Sequence, residues 1–294
     1  MTLHLENKTV RRCRPMLGTL VEIAVNGYDE CQAHQAINAA FVEVERIQKL
    51  MSFHDAMSEV SALNRLAAGE SIQVSVETYQ VLKHALALYD MTQGIFDIAM
   101  GSELVNKGIL PADNLSNEHW EGTTRDIELG PHGRVRFLKP TCIDLGGIAK
   151  GFSVDQAIKV LQEHGVPNGL VNAGGDMRMI GDEKQVVWIR HSSTLNDVVG
   201  YPIWLQNAAV ATSSVRVNDK HSHLSPALHI QMPLKNILNE ERTVSVVADQ
   251  CVWADALTKV VLLADNKTAE KCLTFYQAKA WVWDGGGQLM REIN

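Results

Sequence analysis

Apolar positions along the chain switch between two periods. Leu17–Val25 alternates apolar and polar side chains and predicts a half-buried strand, after which Glu30–Met51 places Ala33, Ile37, Ala40, Phe41, Val44 and Ile47 on one helical face. Ser58 opens a short helical stretch that ends at Gly69, and Ser75 caps a second long helix carrying Val81, Leu82, Ala85, Leu86 and Tyr89, closed by Gly94. Strand signals return from Arg134 to Leu145. Ser153 with Gln156 then reads as a capping box for a helix burying Val154, Ala157, Ile158 and Leu161 before Gly165. Short β-rich runs follow at Gly169–Ala173, Val186–Arg190, Ile203–Gln206, Ala208–Thr212 and Val244–Ala248. A helix over Ala254–Ala264 and a hairpin about Gly285–Gly287 complete the series, which predicts an α+β chain with much antiparallel pairing.

Composition narrows the class without naming it. The 294 residues, 46% of them apolar, suit a folded globular unit, and subtracting 34 acidic from 27 basic side chains leaves a net charge of -7. Nothing longer than the Arg11, Arg12, Arg14 run offers a phosphate-backbone footprint, so no nucleic-acid partner is expected. No apolar run approaches the roughly 20 residues of a membrane span. The first residues lack a signal-peptide pattern, and Cys13, Cys31, Cys142, Cys251 and Cys272 are scattered without a CxxC pair. Both features point to reduced thiols and a cytoplasmic location. There is no internal repeat and no long linker, although the polar stretch Asp113–Thr124 reads as an exposed connection. The chain is accordingly read as one unit over 1–294, with or without two subdomains and with no internal boundary that composition can place.

Three segments carry candidate chemistry. In IDLGGIAKGFSVD a strand runs through Gly146 and Gly147 into a helix, with Lys150 at the junction. Such a turn lets backbone and helix N-terminus approach an anion while the lysine adds a point charge. It matches neither GK[ST] nor GxGxxG, and a plain strand-to-helix turn with a surface lysine fits the same residues. In GLVNAGGDMRMIG, Asn172, Gly174, Gly175 and Asp176 form a turn between two strands, which is an ordinary hairpin unless it shares a cleft with the first loop. In the third, Asp255 and Thr258 lie three residues apart on one helical face, a carboxylate and a hydroxyl of the kind Mg²⁺ accepts, or a dipole-complementing acid beside a surface threonine.

Taken together and in order, MLGTLVEI, LMSFHDAMSEVSALNR, GIFDIA, IDLGGIAKGFSVDQA, GLVNAGGDMRMIG, AVATSS, TVSVVA and ADALTK resemble the ApbE family of FAD:protein FMN transferases over most of the chain. The resemblance implies an ApbE-like, T-fold-related α+β architecture with mixed, largely antiparallel sheets and flanking helices. It also implies an activity: with FAD as substrate and Mg²⁺ as metal, FMN passes to a Thr or Ser hydroxyl of an acceptor protein and AMP is released. Carried over by motif, Asp144 and Lys150 would contact FAD, and the Gly147 carbonyl, Asp255 and Thr258 would hold the metal. Leu17, Ile95, Phe96 and Asp97 would wall the flavin site. Asp176 would complete the cleft, acting with Lys150 and His223 in catalysis, His223 being one of three candidate bases with His221 and His229.

The chain departs from the family pattern at several places. Lys259 stands where a ligating Thr is usual, and it either points away from the metal or supplies part of its charge. The loop HSHLSPALH has Ser225 before Pro226 in place of an acid, Ser213-Ser214 replaces Ser-Gly, and His54 stands where a flavin-side Tyr is common. Two other functions fit the same residues: an FAD pyrophosphatase releasing FMN and AMP to water, and a catalytically silent FAD-binding protein.

Overall fold

A computed structural model describes residues 9–112, 120–182, 184–190, 200–215 and 241–294. In chain order the elements are β1 (Val10–Met16), β2 (Thr19–Asn26), α1 (Glu30–Met51), α2 (Glu59–Asn64), β3 (Ser71–Gln73), α3 (Val76–Met91), α4 (Gly101–Asn106), β4 (Ile127–Leu129), β5 (Arg134–Phe137) and α5 (Ala149–Glu163). They continue with β6 (Asn168–Ala173), β7 (Asp176–Ile180), β8 (Gln185–Arg190), β9 (Gly200–Leu205), β10 (Ala209–Val215), β11 (Arg242–Ala248), α6 (Cys251–Leu263), α7 (Asn266–Phe275), β12 (Lys279–Asp284) and β13 (Leu289–Ile293).

Eight strands form one sheet in the order β1-β2-β6-β7-β10-β11-β12-β13, and every neighbouring pair is antiparallel. That order contains the same unit twice: two strands, helices, two strands, first as β1-β2-β6-β7 with α1 and α5, then as β10-β11-β12-β13 with α6 and α7. The repeat is one of hydrogen-bonding order, which different side chains can specify equally well, and the sequence shows no trace of it. Between α1 and α5 the first unit carries an insertion with α2, α3, α4 and the small sheet β3-β5-β4.

Helices α1, α5, α6 and α7 pack side by side, and the first three lie on one face of the sheet. The main core fills this interlayer, where Ile37, Phe41, Val44, Ile158, Leu161, Leu257 and Val260 meet Ile23, Val171, Val244 and Val246. The opposite face is covered by the β8–β9 hairpin, whose Ile189, Ile203 and Leu205 pack on Met179, Val210, Trp281 and Trp283. Period-two alternation sends Ala280 and Val282 to one face and Trp281 and Trp283 to the other, so β12 serves both cores.

Several boundaries differ from the sequence reading. Leu17–Val25 is not one strand: Met16 pairs with Thr19, and Leu17 (φ 55°) and Gly18 (φ 69°) form the two-residue turn of a hairpin that also recruits Val10–Met16. Leu17 tolerates its left-handed conformation with its N–H donating to Gln48 Oε1 at 2.8 Å. The Arg134–Leu145 strand stops at Phe137. Ser153 is not a cap, because α5 begins at Ala149, and the serine is buried within it with an Oγ that finds no partner among the described residues. Helix α6 begins at Cys251, one turn earlier than its apolar pattern suggested. Ser58 and Ser75 do cap as expected, accepting from the N–H of Ser61 and Thr78. Most of Asp113–Thr124 lies outside the described residues. Among the described residues no helix is long and apolar enough to cross a membrane.

Candidate active site

The glycine loop, the hairpin turn and the acidic helix converge at the seam between the two sheet units, where β7 pairs with β10 beneath α5 and α6. Helix α5 starts at the loop with no side-chain cap from Ile148, and a carboxylate from α6, that of Asp255, takes the Gly151 N–H of its first turn. Asp144 shapes that loop by accepting the Gly146 N–H at 3.0 Å, while its own N–H donates to the Ile98 carbonyl at 2.8 Å. The β6–β7 turn reaches the same end of the sheet: Gly175 N–H donates to Asn172 Oδ1, and Gly174 lies so close to Thr19 that an added Cβ would sit 2.5 Å from its hydroxyl.

Two buried carboxylates face two lysines here. Lys150 Nζ pairs with Asp176 Oδ2, and Lys259 Nζ pairs with Asp255 Oδ1 while also donating to the Asp255 carbonyl at 3.0 Å. Asp255 is fully buried, and its Oδ2 accepts the Gly151 N–H at 3.0 Å, a contact that ties α6 to α5. Only glycine allows it: a Cβ at Gly151 would lie 2.3 Å from the Cys251 carbonyl oxygen. Thr258, also fully buried, donates to the Asp255 carbonyl at 2.7 Å and shares a 2.7 Å hydrogen bond with Ser213.

Burial, and then the Asp255 charge, push Asp176 above the usual carboxylate range against the pull of Lys150 and Lys259. For Lys150 burial works against the ammonium, but Asp176 and Asp255 outweigh it and the lysine holds its proton more firmly than usual. Burial, and then the surrounding carboxylates, push the Cys251 thiol well up, and the side chain is closed off from solvent.

The structure therefore brings Gly147, Lys150, Asp176, Asp255 and Thr258 into one cluster. Phe96 joins them, because a methyl placed on Gly147 would sit 4.0 Å from Phe96 Cε2 and from Lys259 Cε. Leu17 and Ile95 pack against the main core. Asp97 braces the backbone around it, its Oδ1 accepting from Thr124 N, Thr124 Oγ1 and Ala99 N at 3.1, 2.7 and 2.8 Å. His223 lies outside the described residues. Sequence reasoning missed Asp155. From α5 this buried acid accepts the first N–H groups of α6, Cys251 at 2.9 Å and Val252 at 2.8 Å, and pairs with Arg178 at 2.7 Å, supplying the cap that Gln250 does not. The one hint in the sequence is a lone acid on the apolar face of an otherwise amphipathic helix.

The donor set does not fit Mg²⁺ as arranged. Both Asp255 carboxylate oxygens are engaged, one by an ammonium and one by an N–H, and Thr258 spends its hydroxyl on neighbours. A divalent ion on Asp255 would have to displace the Lys259 ammonium from that carboxylate or bear its repulsion at close range.

The ApbE family model matches residues 17–281. The FAD:protein FMN transferase of Vibrio cholerae is 28% identical over 241 residues, covering 76% of this chain and 72% of that protein. The FAD:protein FMN transferase of Chlamydia pneumoniae is 24% identical over 272 residues, 88% of this chain and 83% of its own. Among solved structures, an ApbE protein of Thermotoga maritima superposes with a TM-score of 0.79 at 25% identity over 97% of both chains. The Vibrio cholerae flavin transferase ApbE gives a TM-score of 0.74 at 22% identity over 97% of this chain and 96% of its own. A family match spanning the glycine loop, the hairpin turn and the acidic helix, with one fold shared nearly end to end, shows that this chain belongs to the ApbE family.

Proposed function

We propose that the protein transfers FMN from FAD to a Thr or Ser hydroxyl of an acceptor protein and releases AMP. The observation that carries this reading is the convergence of two lysines, each held on a buried carboxylate, at the glycine loop where α5 begins, which sets ammonium donors where a pyrophosphate would sit. Family membership and relatives that bear the transferase name support it.

In the reaction the acceptor oxygen attacks the FMN-side phosphorus. The bond from that phosphorus to the bridging oxygen breaks, AMP leaves with the electron pair, and the hydroxyl proton passes to a base. Lys150 and Lys259 oppose the charge that grows on the leaving phosphate. Asp176 positions Lys150, and His223 is the base candidate. Phe96, Ile95 and Leu17 supply apolar wall for the flavin. Mg²⁺ is part of the family expectation, but since Lys259 occupies its carboxylate no step is assigned to it.

Incubating the protein with FAD, with and without total cell protein as acceptor, and following AMP, free FMN and covalent flavin fluorescence on denaturing gels tests the proposal. Covalent flavin with matching AMP that appears only with acceptor supports transfer. AMP and free FMN without acceptor would make the protein a pyrophosphatase. FAD binding with no AMP would leave a silent flavin binder.

A further inference from the structure

The Lys259 side chain does more than lie near the acidic turn. Its stem passes Gly147, its ammonium meets both the carboxylate and the carbonyl oxygen of Asp255, and only 12% of the side chain is exposed. It thus lies between the two groups, Gly147 and Asp255, that the family resemblance would have a metal join. Of the other groups in the set, Asp255 Oδ2 accepts the Gly151 N–H, and the Thr258 hydroxyl donates to the Asp255 carbonyl and shares a hydrogen bond with Ser213. An ammonium carries three N–H donors, and Asp255 takes two of Lys259's, which leaves one for a ligand oxygen.

We propose that Lys259 is this protein's resident cation at the Asp255 turn, so that FAD is held by Lys150 and Lys259 as point charges and binds without a divalent metal. The charges agree: Asp176 and Asp255 balance Lys150 and Lys259 to zero, so the site is stable when empty and lacks the excess negative charge that would draw in Mg²⁺. A carboxylate pair without Lys259 would carry that excess.

This inference rests on the flavin reading above, and its test separates the two. FAD affinity is measured by flavin fluorescence in EDTA and in Mg²⁺. Mn²⁺ uptake is read by electron paramagnetic resonance, with and without FAD, for wild type, Lys259→Thr, Lys259→Arg and the double variant Lys259→Thr with Asp255→Asn. Wild type and Lys259→Arg are expected to bind FAD within about twofold in EDTA and Mg²⁺ and to leave the Mn²⁺ signal undiminished. Lys259→Thr is expected to lose about tenfold in metal-free FAD affinity, the effect of one charge-assisted contact, and to take up Mn²⁺ in an Asp255-dependent way. Stoichiometric Mn²⁺ binding by wild type, or FAD affinity that rises about tenfold with Mg²⁺, would overturn the proposal even if no variant folds. Were FAD not to bind under any condition, the flavin reading would fall. The Mn²⁺ comparison between wild type and Lys259→Thr would still decide whether the lysine holds the cation position.

Discussion

Replacing Gly151 by alanine isolates the contact on which the active-site geometry depends. In an ordinary helix interior the change stabilises by about 1 kcal/mol, because alanine loses less backbone entropy on folding. Here the new Cβ would lie 2.3 Å from the Cys251 carbonyl oxygen, 2.7 Å from its carbon and 2.8 Å from Asp255 Cβ, all on another helix. Restoring ordinary contact requires α5 and α6 to part by roughly an ångström. Overpacking of this kind costs about 1–3 kcal/mol, and stretching the 3.0 Å bond from the Gly151 N–H to the Asp255 carboxylate costs up to about 1.5–3 kcal/mol more. Set against the helix gain, the net loss is about 1.5–5 kcal/mol. Urea unfolding of purified protein measures it, with Gly147→Ala as control, since a methyl there meets nothing closer than 4.0 Å. A Gly151→Ala protein as stable as wild type or more so would refute the account of how α5 and α6 pack.

Lys150→Ala removes the partner of Asp176 and is expected to weaken FAD binding by about 1–3 kcal/mol, measured by flavin fluorescence quenching; unchanged affinity would take Lys150 out of the anion site. Asp155→Asn keeps the shape but not the charge that faces Arg178 and two α6 N–H groups, and a loss of about 3–5 kcal/mol in denaturant stability is expected, a loss below about 1 kcal/mol showing that the cap is dispensable. His84 lies edge-on to Trp253 at 4.5 Å, and burial, then Lys83, push its imidazole below the ordinary value of 6.5. The unfolded chain therefore takes up this proton first. The stability His84 contributes is complete above pH 6.5 and is lost as the pH falls through its lower folded value, so His84→Gln should flatten the acid side of a melting-temperature profile, and an unaltered slope would contradict the assignment.

What the sequence determined by itself was local. The faces of α1 and α5, the serine caps at Ser58 and Ser75 and the three glycine or acidic segments were legible because period, cap and turn chemistry each act over a few residues. The family, too, followed from ordered strings. Tertiary structure decided the rest. Whether Leu17 continued a strand depended on Gln48, 31 residues away, binding its N–H. Whether α6 began at Cys251 depended on Asp155, which reaches across from another helix to cap it. Which way Lys259 turned depended on the depth at which α5 buries Asp255: once that carboxylate is removed from water, an ammonium within reach is held there far more strongly than solvent would hold it. Spacing along one helix puts Lys259 beside Asp255 but is silent on the dielectric around them, and that is set by residues more than a hundred positions earlier in the chain.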